Sequence, residues 1–122
     1  MQNNLWVYVA GPYRGDETRN VAEAARVGAS LVEQGFTPIV PHLTFLMGVV
    51  NPAVSDRNWL DYGLRLLRRC DAVLRIGERT PGTDAEVEEA DKRDIPVFDA
   101  SDWAGNLDAL LDELKAEFPE HR

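Results

Sequence analysis

The chain has 122 residues, of which 44% are hydrophobic and 28% charged, a length and composition that predict one compact domain over residues 1–122. Its 21 Asp and Glu outnumber 13 Lys and Arg and give a formal net charge of -8. This charge repels polyanions, so we expect no nucleic-acid partner and no binding to a membrane surface.

The first predicted strand is the apolar run LWVYVA at residues 5–10, which has the character of a buried strand in a parallel sheet. The loop after it, residues 11–15, has two glycines flanking Arg14 and matches neither a dinucleotide-binding nor a Walker phosphate loop. Such a loop can bring N–H groups and a guanidinium to a phosphate or a sugar hydroxyl. A plain turn with a solvated Arg14 is an equally good interpretation.

Asn20 followed by Glu23 predicts the start of a helix with one apolar face, and Gly35 predicts its end. A short second strand follows at residues 36–40, where Pro38 indicates an edge position.

Two features after this strand have both functional and structural interpretations. His42 is expected at the same end of the sheet as Arg14, either in a functional site or as a hydrogen-bonded structural residue. Residues 43–54 are apolar without clean periodicity, so they pack in the core, cover a pocket or meet another subunit.

Ser55 or Asp56 is predicted to cap a helix that reaches Leu67. Asp56 and Asp61 both lie on this helix, and solvent exposure is the default expectation for each. The central strand is predicted at residues 71–76.

After the central strand, the segment Gly82-Thr83-Asp84-Ala85-Glu86 predicts the start of a helix. Glu86 is then expected in the first helical turn, beyond the carboxyl end of the strand, where ligands bind in open parallel sheets. The helix dipole and free N–H groups there would favour the ionised carboxylate, the form that a nucleophile needs. The alternative is a capping box, in which Thr83 and Glu86 only close the helix end.

A fourth strand is predicted at residues 95–98, and an amphipathic helix from Ser101 on. Strands and helices thus alternate along the whole chain. We predict an α/β fold with a single three-layer, doubly wound domain of flavodoxin-like or Rossmann-like type. Its sheet is expected to be mainly parallel, with four to five strands.

The compartment and the absence of a cofactor are also predicted. Residues 1–5 show no secretory signal, no segment is apolar for long enough to span a bilayer, and Cys70 is the only cysteine. We therefore expect a cytoplasmic protein. The two histidines lack the partners of a metal site, so no metal is predicted. We also expect no cofactor.

Four segments together resemble the nucleoside 2-deoxyribosyltransferase family, including its nucleotide N-hydrolase branch. They are residues 7–15, residues 41–42, residues 70–73 and residues 82–86, and they occur in the expected order and structural context. The resemblance spans roughly residues 5–98, and it implies a nucleoside or nucleotide as substrate and assembly as a homodimer or larger homo-oligomer.

The resemblance also implies roles for individual residues. Glu86 takes the position of the nucleophile that attacks the anomeric carbon. The residues implied in substrate binding lie in or beside the matched segments: Gly11, Tyr13, Arg14, Gly15, His42, Thr80, Gly82 and Thr83. One departure is clear, because Gly63 stands where the family usually has an Asp that helps the base to leave. Asp61 or Asp56 is the best available proton donor in its place, and we take Asp61 as the second catalytic candidate.

The leading functional hypothesis is therefore cleavage or transfer of an N-glycosidic bond through a covalent intermediate on Glu86. Arg14, Thr80 and backbone N–H groups would hold a 5′-phosphate if the substrate has one. Two alternatives stay open. One is a non-catalytic nucleotide-binding module that kept the pocket and lost the acid, and the other is a structural domain in which Thr83 and Glu86 only cap a helix.

Overall fold

The computed structural model of the chain describes residues 5–100 and 106–118. One or more helices separate each strand from the next, as the sequence predicts. In chain order the elements are β1 (Trp6–Ala10), α1 (Glu17–Glu33), β2 (Thr37–Ile39), a 3₁₀ helix (Pro41–Thr44), α2 (Phe45–Val50), α3 (Asp56–Leu67), β3 (Ala72–Arg75), α4 (Pro81–Lys92), β4 (Val97–Asp99) and α5 (Leu107–Glu117).

The described strands form one parallel sheet in the order β2-β1-β3-β4. This confirms the predicted α/β class and places the strand that contains Pro38 at a sheet edge, as expected. The chain moves from β1 to one side of the sheet and later returns to its other side at β3. The carboxyl ends of β1 and β3 therefore flank the point at which the direction of winding changes, and such points form ligand-binding crevices.

Alternate residues of β1 point into two separate cores, because side chains along a strand alternate between faces. Val7 and Val9 are buried in the core formed with α1 and α5. Tyr8 is buried in the core on the other face, with residues of α3 and α4. The helices thus cover both faces of the sheet in three layers, and the hydroxyl of Tyr8 is directed into the layer of α3 and α4.

Helix α1 begins earlier than the sequence predicted. Asp16 is its N-cap and accepts a hydrogen bond from the backbone N–H of Arg19 at 3.2 Å. The predicted start at Asn20 is wrong because Asp16 is an equally good capping residue one turn earlier. The amide of Asn20 instead donates to the backbone carbonyls of Tyr13 at 3.1 Å and Arg14 at 3.2 Å, which fixes the loop after β1.

Helix α4 also starts before its predicted position. Its N-cap is Thr80, whose hydroxyl accepts from the N–H of Thr83 at 3.1 Å, while the Thr83 hydroxyl accepts from the N–H of Thr80 at 2.9 Å. Glu86 therefore lies in the second turn. Both the placement of Glu86 in the first turn and its interpretation as the capping partner of Thr83 are wrong, because this threonine pair already closes the helix end.

Ser55 is the N-cap of α3, which selects one of the two predicted capping residues. The final amphipathic helix is present as α5, with Leu110, Leu111 and Leu114 buried, whereas residues 101–105 of its predicted extent lie outside the described residues. Within the described ranges, no helix combines the length and hydropathy needed to cross a bilayer.

We predict that Leu74→Ala destabilises the fold by about 2–5 kcal/mol, because it leaves a cavity in the core of the sheet. Leu74 is 1% exposed in β3. The control is Val32→Ala on α1, since Val32 is 60% exposed and its truncation should lower stability by less than about 0.5 kcal/mol. Urea unfolding of both variants tests this, and equal losses would contradict the packing described here.

Candidate active site

A cavity of about 790 Å³ opens where the loop after β1 meets α2, α3 and the start of α4. Eight of the ten site residues predicted from the sequence line it: Gly11, Tyr13, Arg14, His42, Thr80, Gly82, Thr83 and Glu86. The fold thus brings together segments that lie far apart in the chain. Gly15 and Asp61 are not among the lining residues.

Glu86 is held by Tyr8, whose hydroxyl donates a hydrogen bond to Glu86 Oε2. Gly63 on α3 makes this contact possible, because a Cβ added there would lie 2.8 Å from the Tyr8 hydroxyl oxygen and 3.8 Å from Glu86 Oε2. A side chain at position 63 would therefore compete with Tyr8 for the same space. Sequence reasoning missed Tyr8, and the available signal was a lone hydroxyl within an otherwise apolar strand.

Burial is the largest influence on the pKa values of Glu86 and Tyr8. It raises the pKa of the Glu86 carboxyl to about 7, although the hydrogen bond from Tyr8 acts in the opposite direction. The expectation that a helix N-terminus would favour the ionised carboxylate is thus wrong, because Glu86 lies in the second turn and its partial burial disfavours the charged form. Burial also raises the pKa of Tyr8 well above its usual value, so Tyr8 stays a hydrogen-bond donor.

Arg14 lies at the mouth of the cavity between two carboxylates. Its guanidinium pairs with Asp56 and, at 3.0 Å, with Glu17 Oε2. The same group lies over the ring of Tyr13, 5.6 Å from the ring centroid. The side chains of Arg14 and Asp56 are largely solvent-exposed and that of Glu17 is partly exposed, so each ion pair contributes little to stability and can rearrange.

His42 makes the contacts expected of a hydrogen-bonded structural residue. Its Nε2 lies 3.0 Å from the carbonyl oxygen of Gly11 and 3.2 Å from that of Pro12, so Nε2 carries the proton and donates to this loop. Burial lowers the pKa of His42, which leaves the ring neutral near pH 7. The ring also lines the cavity, so a direct role in binding stays a prediction.

The hydroxyls of Thr80 and Thr83 are both engaged at the start of α4, as described above. Thr83 is 1% exposed. A phosphate at this position would compete with the capping interactions for the Thr80 hydroxyl. The predicted phosphate ligands Thr80 and Arg14 therefore both have partners within the chain.

The helical rotation of α3 keeps Asp61 away from Glu86. Residues two apart on a helix point about 200° from each other, and Gly63 faces Tyr8 and Glu86. Asp61 is exposed to solvent. Its role as proton donor stays a prediction, without a contact in the structure to support it.

The walls of the cavity are rich in aromatic rings from α2, α3 and the loop after β1. Trp59 and Tyr62 meet edge to face with ring centroids 6.0 Å apart, and Tyr13 and Phe45 are 6.4 Å apart. Sequence reasoning had Tyr13 among the substrate-binding residues and allowed the segment with Phe45 to cover a pocket, but it gave Trp59 and Tyr62 no place at the site. In the part of the chain that the structure describes, no cluster of His, Cys, Asp and Glu is arranged to hold a metal ion.

A scan against protein-family models matches residues 5–100 with the family described as "Domain of unknown function (DUF7768)". The chain belongs to this family. A search of curated proteins found no match to the DUF7768 chain.

Two solved structures show what the fold of this DUF7768 chain is similar to. One is a 2-desoxiribosyltransferase from Leishmania mexicana, with a TM-score of 0.57, 21% identity and coverage of 78% of this chain and 63% of the other. The other is a 2-deoxyribosyltransferase from Bacillus psychrosaccharolyticus, with a TM-score of 0.51, 21% identity and coverage of 78% and 72%. The DUF7768 chain spans less than two thirds of the length of the Leishmania protein. At this identity the similarity establishes the three-layer fold.

We predict that stability of the DUF7768 chain depends on pH through Glu86, whose pKa rises from 4.5 to about 7 on folding. The protonated carboxyl contributes stability that is complete below about pH 4.5 and is lost as pH rises through about 7. Between these two pH values, the free energy of unfolding of wild type should fall by on the order of 3 kcal/mol relative to that of Glu86→Gln. Urea unfolding across the range measures it, with Glu23→Gln as an exposed control. Parallel pH curves for wild type and Glu86→Gln would contradict it.

We also predict that Tyr8→Phe raises the pKa of Glu86 further, because the donor that stabilises the carboxylate is removed. Gly63→Ala should act in the same direction, since its new methyl group would meet the Tyr8 hydroxyl. Titration of the ¹³C-labelled carboxyl by NMR measures the shift. Tyr62→Phe is the control and should leave the pKa unchanged. A lower or unchanged pKa in Tyr8→Phe would contradict the described hydrogen bond.

Proposed function

We propose that this protein cleaves or transfers the N-glycosidic bond of a nucleoside or nucleoside 5′-monophosphate, with Glu86 as the nucleophile. The observation that carries the proposal is a half-buried carboxyl, fixed by Tyr8, that lines a cavity at the switch point of a parallel sheet. The two structural neighbours are named as deoxyribosyltransferases, which agrees with this reaction class.

In the proposed reaction, Glu86 attacks C1′ of the sugar while the bond from C1′ to the base breaks. Tyr8 holds Oε2, which leaves Oε1 as the attacking atom. The glycosyl ester is then resolved by water or by a second base on the same face, so the configuration at C1′ is retained. With a pKa of about 7, a large fraction of Glu86 is ionised at neutral pH.

The cavity walls suit a nucleoside. Aromatic rings at Tyr13, Phe45, Trp59 and Tyr62 offer flat apolar surfaces to a base. A 5′-phosphate would have to draw Arg14 away from Asp56 and Glu17, which is feasible because both pairs are exposed.

A non-catalytic nucleotide-binding module is the second candidate. It is favoured by the Tyr8 hydroxyl filling the space beside Gly63, where the resemblance implies an acid, and by the exposure of Asp61. This module would keep the cavity and bind the same ligands without breaking them.

We retain two further expectations as proposals. Residues 1–122 form one domain, and the protein is a homodimer or larger homo-oligomer. Exposed apolar side chains on and beside α2, among them Leu43, Leu46, Val49 and Val50, are compatible with a contact between copies. Cytoplasmic location likewise stays a prediction.

We expect the protein to release free base from a panel of nucleosides and monophosphates, and Glu86→Gln to lower that rate by roughly 10³-fold or more. Because the carboxylate is the reactive form, kcat/KM should rise with pH through about 7. Chromatography of the released base measures both effects, with Glu23→Gln as an exposed control that keeps activity. Calorimetric binding without base release would select the binding module, and neither binding nor release would contradict both functions.

A further inference from the structure

The charged groups that line the cavity favour a positively charged ligand. Among the described lining residues, Arg14 is the one cationic side chain, against the carboxyls of Glu17, Asp56 and Glu86. His42 is neutral near pH 7 because burial lowers its pKa. Arg14 is itself paired with Glu17 and Asp56. The field at the mouth is therefore negative, which attracts cations and repels phosphates.

The aromatic walls add a second attraction for a cation. Asp56 and Trp59 are three residues apart on α3, so a carboxylate and an indole lie side by side on the same face. Arg14 shows that a cation is held in this setting, because its guanidinium contacts two carboxylates and lies over the ring of Tyr13. A flat cationic ring would find the same combination of carboxylate and aromatic faces.

The chemistry of the departing base also favours a positively charged ligand. A neutral base needs a proton as it departs, and the carboxyls of the cavity are engaged: Glu17 and Asp56 with Arg14, and Glu86 with Tyr8. The Tyr8 hydroxyl also occupies the space beside Gly63. A base with a fixed positive charge departs without a proton, so these contacts do not hinder its release.

We propose that the cavity takes N-glycosides whose base carries a fixed positive charge, such as a pyridinium nucleoside or an N-alkylated purine nucleoside. The inference rests on the proposed function and specifies its substrate class. Glu86 forms its bond to C1′ as the C1′–N bond breaks, and the electron pair of that bond neutralises the ring nitrogen. Water then displaces Glu86 from C1′ and gives its proton to solvent, which restores the carboxylate.

The test of binding uses Glu86→Gln, so that turnover does not interfere. Its ligands are the pyridinium nucleoside nicotinamide riboside and the uncharged dihydronicotinamide riboside, which differ mainly in ring charge. We expect the cation to bind at least about 10-fold more tightly in calorimetry. Equal or weaker binding of the cation overturns the inference, whatever the rates of cleavage are.

The source of the preference is tested by removing charge at the mouth. Adding Glu17→Gln and Asp56→Asn to the Glu86→Gln background should lower the preference for the cation by at least about threefold. The matched control adds Glu23→Gln and Asp112→Asn, which remove two exposed carboxylates that do not line the cavity. If both variants lose the preference for the cation equally, that preference comes from the net charge of the protein. This outcome would overturn the role of the carboxylates that line the cavity.

Turnover distinguishes this inference from the function on which it rests. In wild type, kcat/KM for nicotinamide riboside should exceed that for inosine by at least about 100-fold, the contribution that a general acid would otherwise make. Comparable rates for the two substrates, both abolished by Glu86→Gln, would overturn the inference and keep the proposed function. Preferential binding of the cation without any release of nicotinamide would overturn the function and keep the binding preference.

Discussion

The contact between the hydroxyl of Tyr8 and the carboxyl of Glu86, made in the space left by Gly63, is the constraint on which the candidate site depends. The three residues come from a central strand and from two different helices, so the contact forms only when β1, α3 and α4 are in place. A carboxyl that is partly withdrawn from water is stabilised by a hydrogen-bonding partner, and the strand supplies one from the face that α3 and α4 cover. The position of Glu86 is therefore fixed by the packing of the whole layer.

The same burial separates the cavity into two electrostatic regions. Deep in the cavity, Glu86 is held by Tyr8 and its affinity for protons is raised by the loss of water. At the mouth, Arg14, Glu17 and Asp56 form solvated pairs that can exchange partners at little cost. A ligand that enters thus meets an adaptable charged rim as well as a fixed carboxyl, and aromatic rings line the same cavity.

Similarity to the two deoxyribosyltransferases concerns the path of the chain, whereas function depends on the side chains that this path brings together. The DUF7768 chain shows why that distinction matters. Its winding changes direction between β1 and β3, which creates a crevice, but Gly63 and Tyr8 give the crevice a local chemistry of their own. The proposed reaction and its preference for charged bases rest on these residues.

The sequence by itself determined the class of fold, the order of the strands along the chain and the edge position of the strand with Pro38. Those features follow from hydrophobic periodicity and from the missing N–H of proline, which are local properties. The predicted starts of α1 and α4 were wrong. Asp16 and Asn20 are caps of similar strength, and so are Thr80 and Thr83, so the local sequence does not select between them. The sequence also predicted eight of the residues that line the cavity. Only the tertiary structure decided that Tyr8 is the partner of Glu86, 78 residues away, and that burial leaves this carboxyl with a raised pKa. Both depend on contacts between distant segments and on the exclusion of water, which local patterns do not encode.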